Sequence, residues 1–292
     1  MFEARKEFDK SSQDKIEKSR TPQEVAAARA ELEAMSTPAL FAATLNGDYE
    51  DDLPWEAVSV LRLRGTAEVF GWAKRYSDSE DPKSRARGLN VLAQLGAGKP
   101  DTERPFMEES VSIAICRLHD PSPEVISSAA WALSHLSTET AVTALIDLQK
   151  HPDPEVRQAV ACCIGLRNRP EWVPILLDLM EDESEVVRDW ATFELGSGEP
   201  IAAGQIHYAD SPEIRDALRR RTEDPYEEAR REAIWGLAKR KDSLGLKLLV
   251  EQLESGSWWS GDEDAGQEVL SLTSDTPVEE LRTQLRRLLM TA

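Results

Sequence analysis

The chain has 292 residues, 54 of them acidic against 35 basic, which gives a formal charge of −19 at neutral pH. A protein that tracks phosphates needs Lys and Arg to displace condensed counterions, so this balance argues against nucleic acid and against an anionic membrane surface. Apolar content of 40% with 15 Gly and 16 Pro fits a folded chain and not a disordered or fibrous one, and no apolar run reaches the length of a membrane span. Three cysteines, Cys116, Cys162 and Cys163, cannot build a disulfide framework and point to a reducing, cytoplasmic compartment. The first ten residues carry Glu3, Glu7 and Asp9 and lack a signal-peptide apolar stretch, so the mature chain is expected to be the written one.

Residues 1–20 alternate charge with little apolar periodicity and read as an arm, a frayed helix or disordered. Residues 21–76 read as N-terminal capping helices. Thr21-Pro22-Gln23-Glu24 is a capping box with Pro at the first helical position, opening a helix to about Ala34. Thr37-Pro38 opens another, and a further pair spans about 54–76.

From 77 to 255 the chain repeats itself. Residues 120–134 read DPSPEVISSAAWALS, 151–165 HPDPEVRQAVACCIG, 182–196 DESEVVRDWATFELG and 224–238 DPYEEARREAIWGLA. With the first residue as zero, position five is Val125, Val156, Val187 or Ala229; position nine is Ala129, Val160, Ala191 or Ala233; position thirteen is Leu133, Ile164, Leu195 or Leu237. Steps of four mark one helical face. A fifth copy, DPKSRARGLNVLAQLG at 81–96, fits if one residue is inserted midway, and the copies then start 39, 31, 31 and 42 residues apart. Each copy is followed by a second amphipathic segment, so the unit is a helix pair. Helices of about a dozen residues are marginal alone, and stacking must stabilise them. Position six is Arg87, Arg157, Arg188 or Arg230, and position zero is Asp81, Asp120, Asp182 or Asp224, a pattern that predicts an Asp–Arg ladder between adjacent units. Residues 256–292 read as a loop followed by C-terminal capping helices, the last opened by Thr276-Pro277-Val278-Glu279 and carrying Leu281, Leu285, Leu288 and Leu289.

The Asp-Pro start, the Val-Arg step, the Ala-rich stretch and the closing Leu-Gly resemble HEAT repeats of the short type shared with phycobilisome-lyase-like proteins, over roughly residues 50–255. The resemblance implies an all-α fold, a right-handed α-solenoid of antiparallel helix pairs of the HEAT/armadillo-like kind, with the second helices on the concave side and the first helices outside. It says little about activity, and the overall run, including the stretch from Gly47 to Phe70, is similar to bacterial HEAT-repeat proteins.

Chemistry is sparse. The deoxyhypusine hydroxylases that this fold resembles hold di-iron with His-Glu pairs, but His119, His135, His151 and His207 are followed by Asp, Leu, Pro and Tyr, and no metal site is expected. HEAT-like base-excision glycosylases use a basic groove. Here Arg215, Arg219, Arg220 and Arg221 follow a stretch, 171–210, that holds ten acids against the single base Arg188, so pairing within the chain is the simpler role for those arginines. Bilin chemistry of the lyase type rests on the repeats alone. Cys162 and Cys163 sit at interior helix positions beside Ala161 and Ile164, and no phosphate loop or nucleophile elbow is present. No cofactor and no catalytic residue is expected.

Recognition of a protein remains. Position eleven is Trp131, Cys162, Phe193 and Trp235, a column expected to pack between units, while Trp190 at position eight replaces Ser128, Ala159 and Glu232. Two insertions present further candidates: residues 197–210 carry His207 and Tyr208, and residues 255–264 carry Trp258 and Trp259, which either bind or fold back as a cap. With the acids Glu181, Asp182, Glu183 and Asp189, these residues form the expected surface for a basic protein partner. The competing reading is an enzyme on a HEAT-like scaffold, of glycosylase or bilin-lyase type.

Overall fold

A computed structural model describes residues 22–46, 52–98, 104–136, 139–165, 170–197, 199–202, 205–255, 258–272 and 276–291. The charged arm read at 1–20, and Thr21 of the first capping box, lie outside the described residues. The chain folds as α1 (Pro22–Ala34), α2 (Thr37–Ala43), α3 (Asp52–Arg64), α4 (Ala67–Ser77), α5 (Pro82–Leu92), α6 (Met107–Arg117) and α7 (Pro123–Leu136). There follow α8 (Glu139–Leu145), which continues as a 3-10 turn over Ile146–Lys150, α9 (Pro154–Gly165), α10 (Val173–Leu179) and α11 (Glu185–Gly196). After a small hairpin, β1 (Glu199–Ala202) with β2 (Gln205–His207), come α12 (Pro212–Arg221), α13 (Glu227–Lys239), α14 (Ser243–Glu254), α15 (Ser260–Leu270) and α16 (Val278–Leu289).

The architecture is an all-α solenoid of antiparallel helix pairs, with the hairpin as its one departure among the described residues. Each Asp-Pro segment turns out to be the tight turn inside a pair: α4 packs on α5, α6 on α7, α8 and its 3-10 turn on α9, α10 on α11, and α12 on α13. The unit thus begins one helix earlier than the sequence copies suggest. Helices after the turns pack side by side in an unbroken row, α5–α7–α9–α11–α13, whereas the helices before the turns hardly touch one another. In a curved stack the layer with the closer approach is the inner one. The helices that carry the repeated motif therefore line the inner side, which corrects the expectation that they lie outside. Small side chains permit the close approach: the Cα of Gly236 on α13 lies 3.5 Å from where a Cβ on Gly196 of α11 would stand.

The register of the first copy also needs correction. α5 starts at Pro82 with Asp81 as its N-cap, whose carboxylate accepts from Ser84 N at 2.8 Å. By contrast α7 and α9 start three residues after Asp120 and His151. The equivalent of position zero is thus Ser79, position six is Arg85 and not Arg87, and Leu92 falls at position thirteen with no inserted residue. The Asp81-Pro82 pair imitates the motif two residues late.

At the C-terminal end, the box read at Thr276 does not form. Pro277 is the N-cap of α16 and no side-chain cap bond is made there, so this helix is held by its apolar face, with Leu281 and Leu285 fully buried. The core is a run of contiguous clusters and not one centre, from Leu40, Phe41 and Leu61 through Leu133 and Leu195 to Leu249 and Leu285. That continuity is what a stack of pairs, each unable to bury its own face, requires.

Candidate partner-binding surface

The turn edge is held by a repeated pin. Arg85 donates to Asp120 at 2.8 and 2.7 Å, Arg157 to Asp182 at 2.7 and 2.8 Å, and Arg188 to Asp224 at 2.8 and 3.0 Å. Each is a bidentate pair joining one unit to the next, the geometry in which a guanidinium and a carboxylate bind most strongly. A third nitrogen of each arginine donates to the carbonyls at positions zero and one of its own turn, as Arg157 Nη1 does to His151 and Pro152 at 2.8 and 3.0 Å. Arg230 makes the same pair of bonds, to Asp224 and Pro225. Burial pushes Asp120, Asp182 and Asp224 toward the neutral form, but hydrogen bonds from the arginines and from backbone N–H groups more than offset it, leaving all three below the usual carboxylate value.

This ladder absorbs much of the acidic cluster. Asp182 is a rung, Glu183 is exposed and lies 3.5 Å from Arg157, and Glu181 accepts from Arg220 at 3.2 Å and Arg221 at 2.9 Å. The remaining arginines of α12 are also paired within the chain: Arg215 with Asp210 at 2.6 Å, and Arg219 with Asp216 and Asp242, both at 2.7 Å. Asp189, by contrast, is buried on α11 beside the inner surface.

Apart from the exposed first-turn residues Glu185 and Glu227 and the arginines Arg188 and Arg230, the positions of α11 that are not buried are Val186, Trp190 and Phe193, with Ser197 just beyond its end, and those of α13 are Glu228, Glu232, Trp235 and Lys239. Positions four, eight, eleven and fifteen therefore make the open stripe of these two helices, whereas positions eight and eleven are buried on α5 (Arg87, Asn90) and on α9 (Ala159, Cys162); the aromatic side chains stand along this stripe. Trp131 meets Trp190 edge-on with centroids 5.8 Å apart, and Trp190 meets Phe193 at 5.9 Å. Toward the N-terminus Trp55 lies under the Arg87 guanidinium at 4.9 Å. Toward the C-terminus the fully buried Asp262 accepts from Trp235 Nε1 at 2.8 Å, from Arg231 at 3.1 Å and from the backbone N of Trp259 at 2.8 Å. The Arg231 guanidinium in turn covers the Trp259 ring at 4.3 Å.

The sequence candidates thus fall into three places. Trp190 and Asp189 lie on the inner row; Glu181, Asp182 and Glu183 lie at the turn edge between α10 and α11; Tyr208, Trp258 and Trp259 lie toward the C-terminal end. Trp258 donates to Glu263 and sits under Arg282 at 5.0 Å, while Tyr208 donates to Glu268 and faces Arg240 at 5.4 Å. His207 pairs through its backbone with Glu199 in the hairpin, and its side chain lies outside the described residues. Residues that sequence reasoning did not select, Trp55, Trp131 and Trp235, share the inner face with Trp190. Their column was visible in the repeat, but which helix row faces inward was not. Among the described residues no group of three or more His, Cys, Asp or Glu is placed to hold a metal, and no helix is long and apolar enough to cross a membrane. Cys162 and Cys163 are buried, and the Cys163 thiol donates to the Ala130 carbonyl at 2.9 Å.

The solenoid and its repeats have clear relatives. The HEAT repeats family pattern matches residues 111–196. Protein YibA of Escherichia coli strain K12 is 32% identical over 206 residues, covering 68% of each chain. The X-ray structure of E. coli YibA superposes with a TM-score of 0.67 at 22% identity, covering 94% of this chain and 99% of that one. The S. pombe condensin Cnd3–Cnd2 subcomplex shares the fold at a TM-score of 0.53 and 16% identity, over 85% of this chain and 36% of that one. With the paired helices, the Asp–Arg rungs and a relative matched over two thirds of both chains, this protein belongs to the HEAT-repeat family of which E. coli YibA is a member.

Proposed function

We propose that the protein is a non-enzymatic binding scaffold that recognises a basic protein through the inner face of its helix row. The observation that carries this reading is the aromatic surface itself: Trp131 on α7, Trp190 and Phe193 on α11 and Trp235 on α13 stand half-buried on one face. Trp is enriched at binding hot spots because it supplies large, rigid contact area at low entropic cost. The −19 charge supplies complementarity to a cationic partner, raising encounter rate and disfavouring acidic competitors. The exposed Glu183 and Glu181, and the insertion residues Tyr208, Trp258 and Trp259, extend the candidate surface at its margins. Such a binder acts as an adaptor or as a stoichiometric inhibitor of a basic protein, and both roles use the same face.

The test is affinity capture by the full-length chain from native lysate at low and moderate salt, in parallel with a Trp190→Ala, Trp235→Ala variant. A basic protein retained in stoichiometric amount, released by salt and lost in the variant, is the expected result. Retention of nucleic acid or of a coloured small molecule, with no protein, overturns the reading in favour of an enzyme of glycosylase or bilin-lyase type.

A further inference from the structure

Position zero of each turn has two separable duties. The first is local: its side chain accepts from the backbone N–H two residues on, as Asp120 does from Ser122 at 3.0 Å, Asp182 from Ser184 at 2.8 Å and Asp224 from Tyr226 at 2.9 Å. His151 keeps this duty, its Nδ1 accepting from Asp153 N at 3.1 Å. The second duty, the rung to the preceding unit, needs a carboxylate at position zero and an arginine at position six of the helix before. At the α7–α9 junction both are replaced together: His151 stands for the aspartate and Ile126, 6% exposed, for the arginine. Simultaneous replacement leaves no buried charge behind, which makes the loss of this one rung tolerable.

Two further features coincide at the same junction. The outer helix of this pair is broken beside its tight turn, since α8 has seven residues and gives way to the 3-10 turn Ile146–Lys150, none of whose side chains is buried; α10 is equally short, but its 3-10 turn, Pro170–Trp172, lies at the end away from the tight turn and buries Trp172. On the inner face α9 carries only small side chains at positions eight and eleven, Ala159 and Cys162, and over them the Trp131 ring of α7 reaches the Trp190 ring of α11.

We infer that the α7–α9 junction is the hinge of the array. The flanking junctions are pinned by Arg85–Asp120 and Arg157–Asp182; among the described residues this one carries no ion-pair rung at its turn edge, and it is closed on the inner side by the Trp131–Trp190 contact. Opening it separates the stack up to α7 from the stack that begins at α9, and changes the curvature of the inner face while each part stays intact. The hinge does not depend on the partner's identity and stands whether or not the partner is basic.

Native-state hydrogen exchange on the full-length chain tests this, because it reports local opening segment by segment. Amides of the turn and first helical turn around 150–156 should exchange at least about tenfold faster than their counterparts around 181–187. Restoring the rung with Ile126→Arg and His151→Asp should bring the two regions within about threefold, while Trp190→Ala, a change in the next unit, should speed exchange around 150–156. Equal protection of the two turns in the unaltered chain overturns the hinge. So does a restored pair that folds, with unfolding cooperativity unchanged, yet leaves the difference in place. Should the restored pair fail to fold, Trp190→Ala decides alone: exchange that rises equally at every junction overturns the proposal.

Discussion

Arg157 and Asp182 meet through two parallel hydrogen bonds of 2.7 and 2.8 Å, and both side chains are less than a tenth exposed. Breaking such a pair from one side strands a buried charge, so Asp182→Ala should cost about 3–5 kcal/mol in urea unfolding. Replacing both members, with Arg157→Met and Asp182→Ser, should cost less than Asp182→Ala alone. Serine retains the local cap, as Ser79 does by accepting from Asp81 N at 3.2 Å. A double variant weaker than the single one would show that the rung itself, and not the relief of an unpaired charge, dominates.

Stability should depend on pH in two separate windows. His135 is pushed down to about 4, by burial first and then by the charges of Arg62 and Arg104. Its folded value lies below the unfolded 6.5, so the unfolded chain binds the proton more readily, and stability falls as pH drops from about 6.5 to 4. The loss is at most about 3 kcal/mol, and His135→Gln should flatten this limb. A second loss belongs to Asp120, Asp182 and Asp224, whose depressed values make their contribution complete above the unfolded carboxylate value and remove it as pH falls through the folded ones. Thermal unfolding followed from pH 7 to 2.5 would separate the limbs; a profile in His135→Gln identical to the parent would dismiss the first.

Two glycines in adjacent helices should respond oppositely to alanine. A Cβ on Gly88 of α5 would stand 2.5 Å from Ser77 N and 2.6 Å from Ala73 O, both backbone atoms of α4 that cannot rotate aside. Gly88→Ala should therefore destabilise by roughly 2–3 kcal/mol or more. Gly71 of α4 has nothing within 4 Å of its would-be Cβ, and Gly71→Ala should be neutral or stabilising by up to about 1 kcal/mol. Equal midpoints for the two variants would contradict the close approach of α4 and α5.

Trp258→Ala with Trp259→Ala removes the rings beneath Arg282 and Arg231 but leaves the backbone bond of residue 259 to Asp262. Helicity by circular dichroism should be retained, with stability lower by about 2–4 kcal/mol from lost burial and cation–π contact. If helicity collapses, the rings hold the last two helices in place; if stability is unchanged, they are available to a partner at no structural cost.

How far the sequence could be read varied with the kind of information needed. Phase was plain, because Val125, Val156 and Val187 recur at fixed distance and a helical face demands it. The ladder was legible as chemistry, yet its first rung was placed on Arg87 when Arg85 makes it: two arginines two residues apart both fit a pattern, and only the position of Asp120 in space chooses between them. The hairpin over Glu199–His207 gave little signal, since EPIAAGQIH lacks clean alternation. The inner face was hidden for a different reason. Periodicity shows that Trp131 and Trp235 occupy equivalent positions, but which of two helix layers is the inner one depends on distances between helices, which no single helix encodes.

The turns and the linkers sit on different edges, and their lengths behave differently. Helices within a pair are separated by four residues between α4 and α5, five between α6 and α7, and five between α10 and α11. Between successive pairs the chain takes fourteen residues from α5 to α6 and fifteen from α11 to α12, yet only two from α7 to α8. All of the extra length in the array thus accumulates on one margin, where no rung has to be met, while the other margin keeps its pitch. A fluorescent tag or a foreign domain placed after Ala202 would hang from that permissive margin, and the same insertion between Asp182 and Glu185 would unzip the stack.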